Sequence, residues 1–224
     1  MQVQETTKLV QKTARYYTLG ELTPQTRTLW LCCHGYGEVA ERFAGRMTPL
    51  ADAENFVLAP EGLNRFYWHG PKRTPVATWM TRAARLHEIR DYVRYLDELL
   101  DEHLARVAQP LDVVAFGFSQ GTQTIFRYLH ATRRPEVRSV VAYAGSLPDD
   151  VDYAAWREYF TDRPVRFAVG DADEYLTPEV LEKYRRFLAN IGLPYEELSF
   201  AGGHRVLPEV LERIKQRVDA RFKS

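Results

Sequence analysis

Residues 117–121 read Gly-Phe-Ser-Gln-Gly and follow directly on the apolar run Leu111–Phe116. A helix-like stretch from Thr122 to Ala131 comes next. Glycines two residues to either side of Ser119 let strand and helix approach closely, while the serine sits exposed on a strained turn. With five serines and 13 glycines in 224 residues, chance supplies only ~0.02 such motifs. The chain is thus constrained to a fold in which a strand feeds a helix through a sharp corner. An ordinary strand-to-helix turn with a capping serine is the plain alternative.

The rest of the chain extends that pattern. Strand-like runs lie at Thr28–Cys33, Asn55–Ala59, Leu111–Phe116, Ser139–Tyr143, Val165–Val169 and Glu196–Phe200, with Arg15–Leu19 as an added edge strand. Several are continuously apolar rather than alternating, which indicates burial on both faces of a sheet. Helix-like segments lie between them at Val39–Ala53, Arg82–Val107, Thr122–Ala131, Pro178–Ile191 and Pro208–Phe222. The longest carries Leu86, Ile89, Val93, Leu96, Leu100 and Leu104 at spacings of three and four, one apolar helix face. Strands alternating with helices predict a mostly parallel α/β sheet covered on both faces. The length suits one domain spanning 1–224, with a core about 15–222.

Charge and composition narrow the function classes. The 30 basic and 30 acidic residues cancel, so nothing argues for nucleic acid or an anionic membrane as partner. No apolar stretch approaches the ~18 residues of a membrane span, and the first residues lack the apolar region of a secretory leader. Cys32 and Cys33 are adjacent within a strand-like run. They have no zinc-ligand spacing, and two buried strand thiols fit a reducing cytoplasm.

A serine hydroxyl becomes a nucleophile when a base takes its proton, and histidine suits that task near neutral pH. In a sheet of this kind the acid and then the histidine follow the serine, each on a loop after a strand. Of six histidines, His34, His69, His87 and His103 precede Ser119, and His130 sits near the end of the helix after the turn. His204 follows the last strand, in Phe200-Ala201-Gly202-Gly203-His204. The acid belongs after Val165–Val169, where Gly170-Asp171-Ala172-Asp173-Glu174 crowds three carboxylates. Spacing alone does not choose between Asp171 and Asp173. Oxyanion donors are expected from the main-chain N–H of Gln120 and from that of Tyr36, in His34-Gly35-Tyr36-Gly37. His34 reads as a histidine that holds this loop.

The segment Glu61–Thr81 is the longest without periodicity and carries Phe66, Tyr67, Trp68, Trp79 and Met80. Such a loop either walls an apolar pocket or is pinned to the body by its aromatics. On the first reading Trp68, Trp79, Met80, Phe118, Tyr175 and Leu176 contact the substrate.

Taken together, His34-Gly35-Tyr36-Gly37, Gly117-Phe118-Ser119-Gln120-Gly121, Gly170-Asp171-Ala172-Asp173 and Gly202-Gly203-His204 resemble the signatures of the phospholipase/carboxylesterase family, which includes acyl-protein thioesterases. The likeness spans roughly residues 28–215. It implies a single-domain α/β-hydrolase with no large cap domain. It also implies that the second aspartate of the G-D-x-D loop, Asp173, is the acid and that Tyr36 supplies an oxyanion N–H. Tyr36 stands where a smaller aliphatic residue is common, and Thr122 where glycine or alanine is usual.

The expected activity is hydrolysis of a carboxylic ester or thioester by Ser119, His204 and Asp173, with Tyr36 and Gln120 at the oxyanion. No metal or organic cofactor is expected. The partner is a small-molecule or lipid-like ester or thioester, with short to medium acyl chains in an open groove. A ligand-binding protein on the same fold, or a peptidase or acyltransferase using the same residues, are the alternatives.

Overall fold

The computed structural model describes residues 2–70 and 72–222. Its strands are β1 (Tyr16–Leu19), β2 (Thr28–Cys33), β3 (Asn55–Pro60), β4 (Asn64–Phe66), β5 (Val76–Thr78), β6 (Asp112–Phe118), β7 (Val137–Tyr143), β8 (Val165–Gly170) and β9 (Tyr195–Phe200). The helices are α1 (Ala40–Arg46), α2 (Arg85–Leu104), α3 (Gln120–Thr132), α4 (Arg157–Thr161), α5 (Pro178–Ile191) and α6 (Pro208–Phe222).

Seven strands form one sheet in the order β1-β3-β2-β6-β7-β8-β9. β1 runs antiparallel to β3 at one edge, and the remaining neighbours are parallel. β9 is the other edge, paired to β8 alone. Every residue of β2, β3 and β8 is buried, including the polar Asn55 and the charged Arg166.

The pleat divides β2 between two cores. Leu29, Leu31 and Cys33 face a cluster with Tyr92, Leu96 and Leu100 of α2, Ile125 and Leu129 of α3, and Leu188 of α5. Trp30 and Cys32 face another with Phe43 of α1 and Leu211, Ile214 and Val218 of α6. Both cysteines are buried and free, and burial pushes their thiols well up. Among the described residues no helix is long and apolar enough to cross a membrane.

The structure departs locally from the sequence reading in three places. The helix expected over Val39–Ala53 ends at Arg46 and is followed by a 3-10 turn, Thr48–Leu50. Pro49 cannot continue a helix, having no N–H and a ring that strikes the preceding turn. Thr48 Oγ1 instead donates to the Gly45 carbonyl at 2.7 Å. The segment 61–81 is not wholly irregular, because β4 and β5 pair in it as an antiparallel hairpin with Arg65 opposite Ala77. α4, preceded by a 3-10 turn at Ala154–Trp156, had no counterpart in the expected elements.

Candidate active site

β6 enters the corner at Phe118 and α3 leaves it at Gln120. Ser119 between them has φ +53° and ψ −117°, a region costly for a residue with a side chain. The surroundings hold it there. Ser119 N–H donates to the Tyr143 carbonyl at 2.9 Å, and Thr122 N–H donates to the Ser119 carbonyl at 3.0 Å. The turn also lies against the end of β2. A Cβ on Gly121 would sit 2.0 Å from the Cys33 carbonyl oxygen, so only glycine fits. Thr122 is buried and donates its hydroxyl to the Gly117 carbonyl at 2.9 Å.

The loops after β8 and β9 are tied to each other. Ala172 N–H donates to the Gly202 carbonyl and Gly202 N–H to Asp171 Oδ1, both at 2.9 Å. That cross-link brings Asp173 to His204. Asp173 Oδ2 lies 2.9 Å from His204 Nδ1, and Oδ1 accepts the N–H groups of Tyr175 at 2.9 Å and Leu176 at 3.1 Å. His204 Nε2 lies 2.9 Å from Ser119 Oγ. The imidazole is flanked by the rings of Tyr175 at 4.6 Å and Phe118 at 5.1 Å between centroids. With a carboxylate at Nδ1, the proton resides there and Nε2 is left to accept from the serine hydroxyl. Asp171 is exposed and its Oδ1 holds Gly202 rather than His204.

The loop after β2 completes the site. A Cβ on Gly35 would meet Ser119 Cβ at 3.3 Å, so the Gly35–Tyr36 peptide lies beside Ser119. Gln120 begins α3, and an N–H in the first turn of a helix lacks an intrahelical acceptor. His34 is fully buried, and burial holds its imidazole down at about 4.

These residues border an open cleft of about 520 Å³. Tyr36, Trp68, Phe118, Ser119, Gln120, Tyr175, Leu176 and His204 all line it. Trp68 seats over Gly37, where φ is +67° and a Cβ would strike the indole ring. It is packed there by Tyr36 and Phe66, at 5.2 and 6.0 Å between ring centroids.

Trp79 and Met80 correct the expectation for the aromatic loop. Trp79 is fully buried, packs its ring at a tilt against His34 at 5.0 Å between centroids and donates Nε1–H to the His34 carbonyl at 2.8 Å. Met80 packs against the core, with its sulfur 3.7 Å from Arg127 Nη1. Both pin the loop to the body, and Trp68 is the residue of that segment on the cleft.

Several features of the site were not foreseen. The Gln120 side chain latches the segment after β5. Its Oε1 accepts from Thr78 Oγ1 at 2.9 Å and Trp79 N–H at 3.2 Å, and its Nε2 donates to the Met80 carbonyl at 3.2 Å. Glu38 also lines the cleft, bound by Arg46. Burial raises its carboxyl above the ordinary range, with Arg46 opposing. Gln123, Ser146 and Val180 complete the wall. Residues 145–146, after β7, carry one available signal, since loops after parallel strands share one sheet edge. A larger hollow, about 860 Å³, lies between Leu9–Ala14 and α2, away from Ser119. Among the described residues no group of three or more His, Cys, Asp or Glu is placed to hold a metal ion.

The structure superposes on acyl-protein thioesterase 2 of Zea mays with a TM-score of 0.67 at 14% identity, covering 93% of this chain and 99% of the other. The carboxylesterase of Bacillus cereus gives a TM-score of 0.64 at 16% identity, over 92% and 94% of the two chains. At such identities the likeness shows a shared fold. No curated protein matches the sequence. The profile of the phospholipase/carboxylesterase family matches residues 22–221, nearly the whole length, and the chain therefore belongs to that family of α/β-hydrolases.

Proposed function

We propose that this protein hydrolyses carboxylic esters or thioesters through an acyl-enzyme on Ser119. The pair of 2.9 Å contacts running from Ser119 Oγ through His204 to Asp173 carries the proposal. Ser119 Oγ attacks the carbonyl carbon while its proton passes to His204 Nε2. Asp173 orients the imidazole and stabilises the imidazolium. The carbonyl π electrons move onto oxygen, and that oxyanion accepts from the N–H groups of Tyr36 and Gln120. Collapse breaks the bond to the alcohol or thiol, which leaves with the proton from Nε2. Water, deprotonated by the same nitrogen, then attacks the acyl carbon; the bond to Ser119 Oγ breaks, Oγ takes the proton back from Nε2, and the acid is released.

Family membership supports esterase or thioesterase chemistry, and the cleft supports the substrate size. Trp68, Tyr36 and Tyr175 are each about half exposed or more at its mouth, so an acyl chain lies on a groove rather than in a tunnel. Short to medium acyl substrates are therefore the expected class. A single catalytic domain in the cytoplasm, with free Cys32 and Cys33, belongs to the same proposal.

The test is Ser119→Ala with p-nitrophenyl esters and acyl thioesters, beside a fluorophosphonate probe on the wild type. Loss of the nucleophile lowers kcat by ~10⁴ to 10⁶. A variant keeping more than about a tenth of wild-type turnover would refute the assignment.

A further inference from the structure

His34 is fully buried, and both of its ring nitrogens meet main-chain atoms beside the site. Gly62 N–H donates to Nε2 at 2.9 Å. A main-chain N–H can only donate, so Nε2 carries no proton and the neutral ring bears it on Nδ1. Nδ1–H then donates to the Gly35 carbonyl at 2.7 Å. The tautomer follows from the neighbours.

The consequence lies on the far side of that peptide. No peptide bond among the described residues is cis, and in a planar trans unit the Gly35 carbonyl and the Tyr36 N–H point in opposite directions. We infer that His34 is a positioning residue: by holding the Gly35 carbonyl it aims the Tyr36 N–H at the oxyanion formed on Ser119. This rests on the function proposed above, and His34 itself touches no reacting atom in it.

Further contacts make the anchor stiff. Glu61, nearly buried before Gly62, is paired by both Arg15 and Arg65. A Cβ on Gly62 would sit 2.6 Å from the Thr78 carbonyl, so the donor is wedged against β5. The His34 ring is packed between Trp79 and Phe43, at 5.0 and 6.1 Å. Beyond Tyr36 the chain is fastened again, with Gly37 N–H on the Ala77 carbonyl at 2.9 Å and Ala77 N–H on the Glu38 carbonyl at 2.8 Å. Without the Nδ1–H bond, the glycine at 35 leaves the intervening peptide free to rotate.

Two substitutions separate the ring nitrogens. The amide of His34→Asn reaches the Nδ1 position and can still donate to Gly35. The amide of His34→Gln reaches the Nε2 position and can accept from Gly62 while leaving the Gly35 carbonyl unheld. Both are measured for kcat and KM on p-nitrophenyl acetate and for inhibition by a trifluoromethyl ketone, which forms the tetrahedral adduct. Fluorophosphonate titration counts competent sites, and circular dichroism checks folding. An oxyanion donor is worth 10² or more in kcat, so His34→Gln should lose about 100-fold in kcat and in affinity for the ketone. Its KM should change by less than about threefold, because the oxyanion exists only after attack. His34→Asn should stay within about tenfold of wild type. Equal losses in the two variants, or His34→Gln within about threefold of wild type, would overturn the inference. If His34→Gln does not fold, a loss beyond about tenfold in His34→Asn overturns it alone. A wild type that neither turns over ester nor takes the fluorophosphonate defeats the hydrolase proposal itself. An active, labelled wild type with an unimpaired His34→Gln defeats only the role of His34.

Discussion

Replacing Asp173 by Asn separates charge and proton direction from shape. Asp173 Oδ1 accepts two main-chain N–H groups, from Tyr175 and Leu176, while Oδ2 faces the single Nδ1 of His204. An asparagine amide must turn its NH₂ toward one side. Facing the loop, it would leave two N–H donors unpaired, the buried one of Leu176 costing about 1–3 kcal/mol. Facing His204, it opposes one ring nitrogen that can shift its proton. The second orientation wins, and Nδ1 becomes an acceptor. Nε2 then carries the proton and cannot take one from Ser119. The fold is kept, and kcat falls ~10⁴-fold, or about 5 kcal/mol in the barrier. Asp171→Asn keeps the oxygen that accepts from Gly202 N–H. Its lost charge is exposed and screened, so the rate should change by less than about threefold. Steady-state kcat/KM on p-nitrophenyl acetate and the rate of fluorophosphonate labelling give both values, with circular dichroism as the control. Asp173→Asn within about tenfold of wild type would refute the reasoning. A larger loss in Asp171→Asn than in Asp173→Asn would move the acid to residue 171.

The two tryptophans of the 61–81 segment should part company. Trp79→Ala removes a fully buried indole and should cost about 3–5 kcal/mol, a fall of roughly 10 °C in Tm. Trp68→Ala, half exposed on the cleft, should leave Tm within about 2 °C, surface changes being small. It should alter the preference among p-nitrophenyl esters from acetate to palmitate, and an unchanged preference counts against a groove there. Acid should destabilise the fold through His34. Burial lowers its pKa from 6.5 to about 4, so between those values the unfolded chain binds a proton that the folded chain refuses. Stability is then full above ~6.5 and falls toward pH 4, by about 2 kcal/mol at pH 5 from this group. His103, also lowered chiefly by burial, acts in the same direction. Urea titrations of wild type and His34→Asn at pH 7.5 and 5 isolate the His34 share, and equal losses in the two proteins would contradict it.

The central strands were legible because continuous apolar runs such as Leu29–Cys33 admit few other fates. The order of Ser119, the 171–173 carboxylates and His204 was legible because each follows a parallel strand, and such loops gather at one sheet edge. Which carboxylate meets the imidazole was not. That depends on a main-chain cross-link between residues 171–172 and 202, and composition does not encode it. The fates of Trp68 and Trp79 were hidden likewise. They follow from the hairpin pairing of Asn64 with Thr78, and strands of three residues leave no periodicity to read. The reach of the Gln120 side chain to residues 78–80 is a contact across 40 positions or more, invisible to any local pattern.

β9 lies at the rim of the sheet and has a single neighbour, whereas β6, which carries Ser119, lies at its centre. Ser119, the proposed nucleophile, thus follows a central strand, where amide hydrogens are expected to exchange slowest, and His204, the proposed base, follows an edge strand expected to open more readily. Local opening of that strand would then displace His204 before the central strands unfold. On the proposed mechanism, activity would then report on that strand's local stability rather than on the whole molecule. In rising urea, activity should fade before the bulk circular dichroism, in step with hydrogen exchange of residues 196–200.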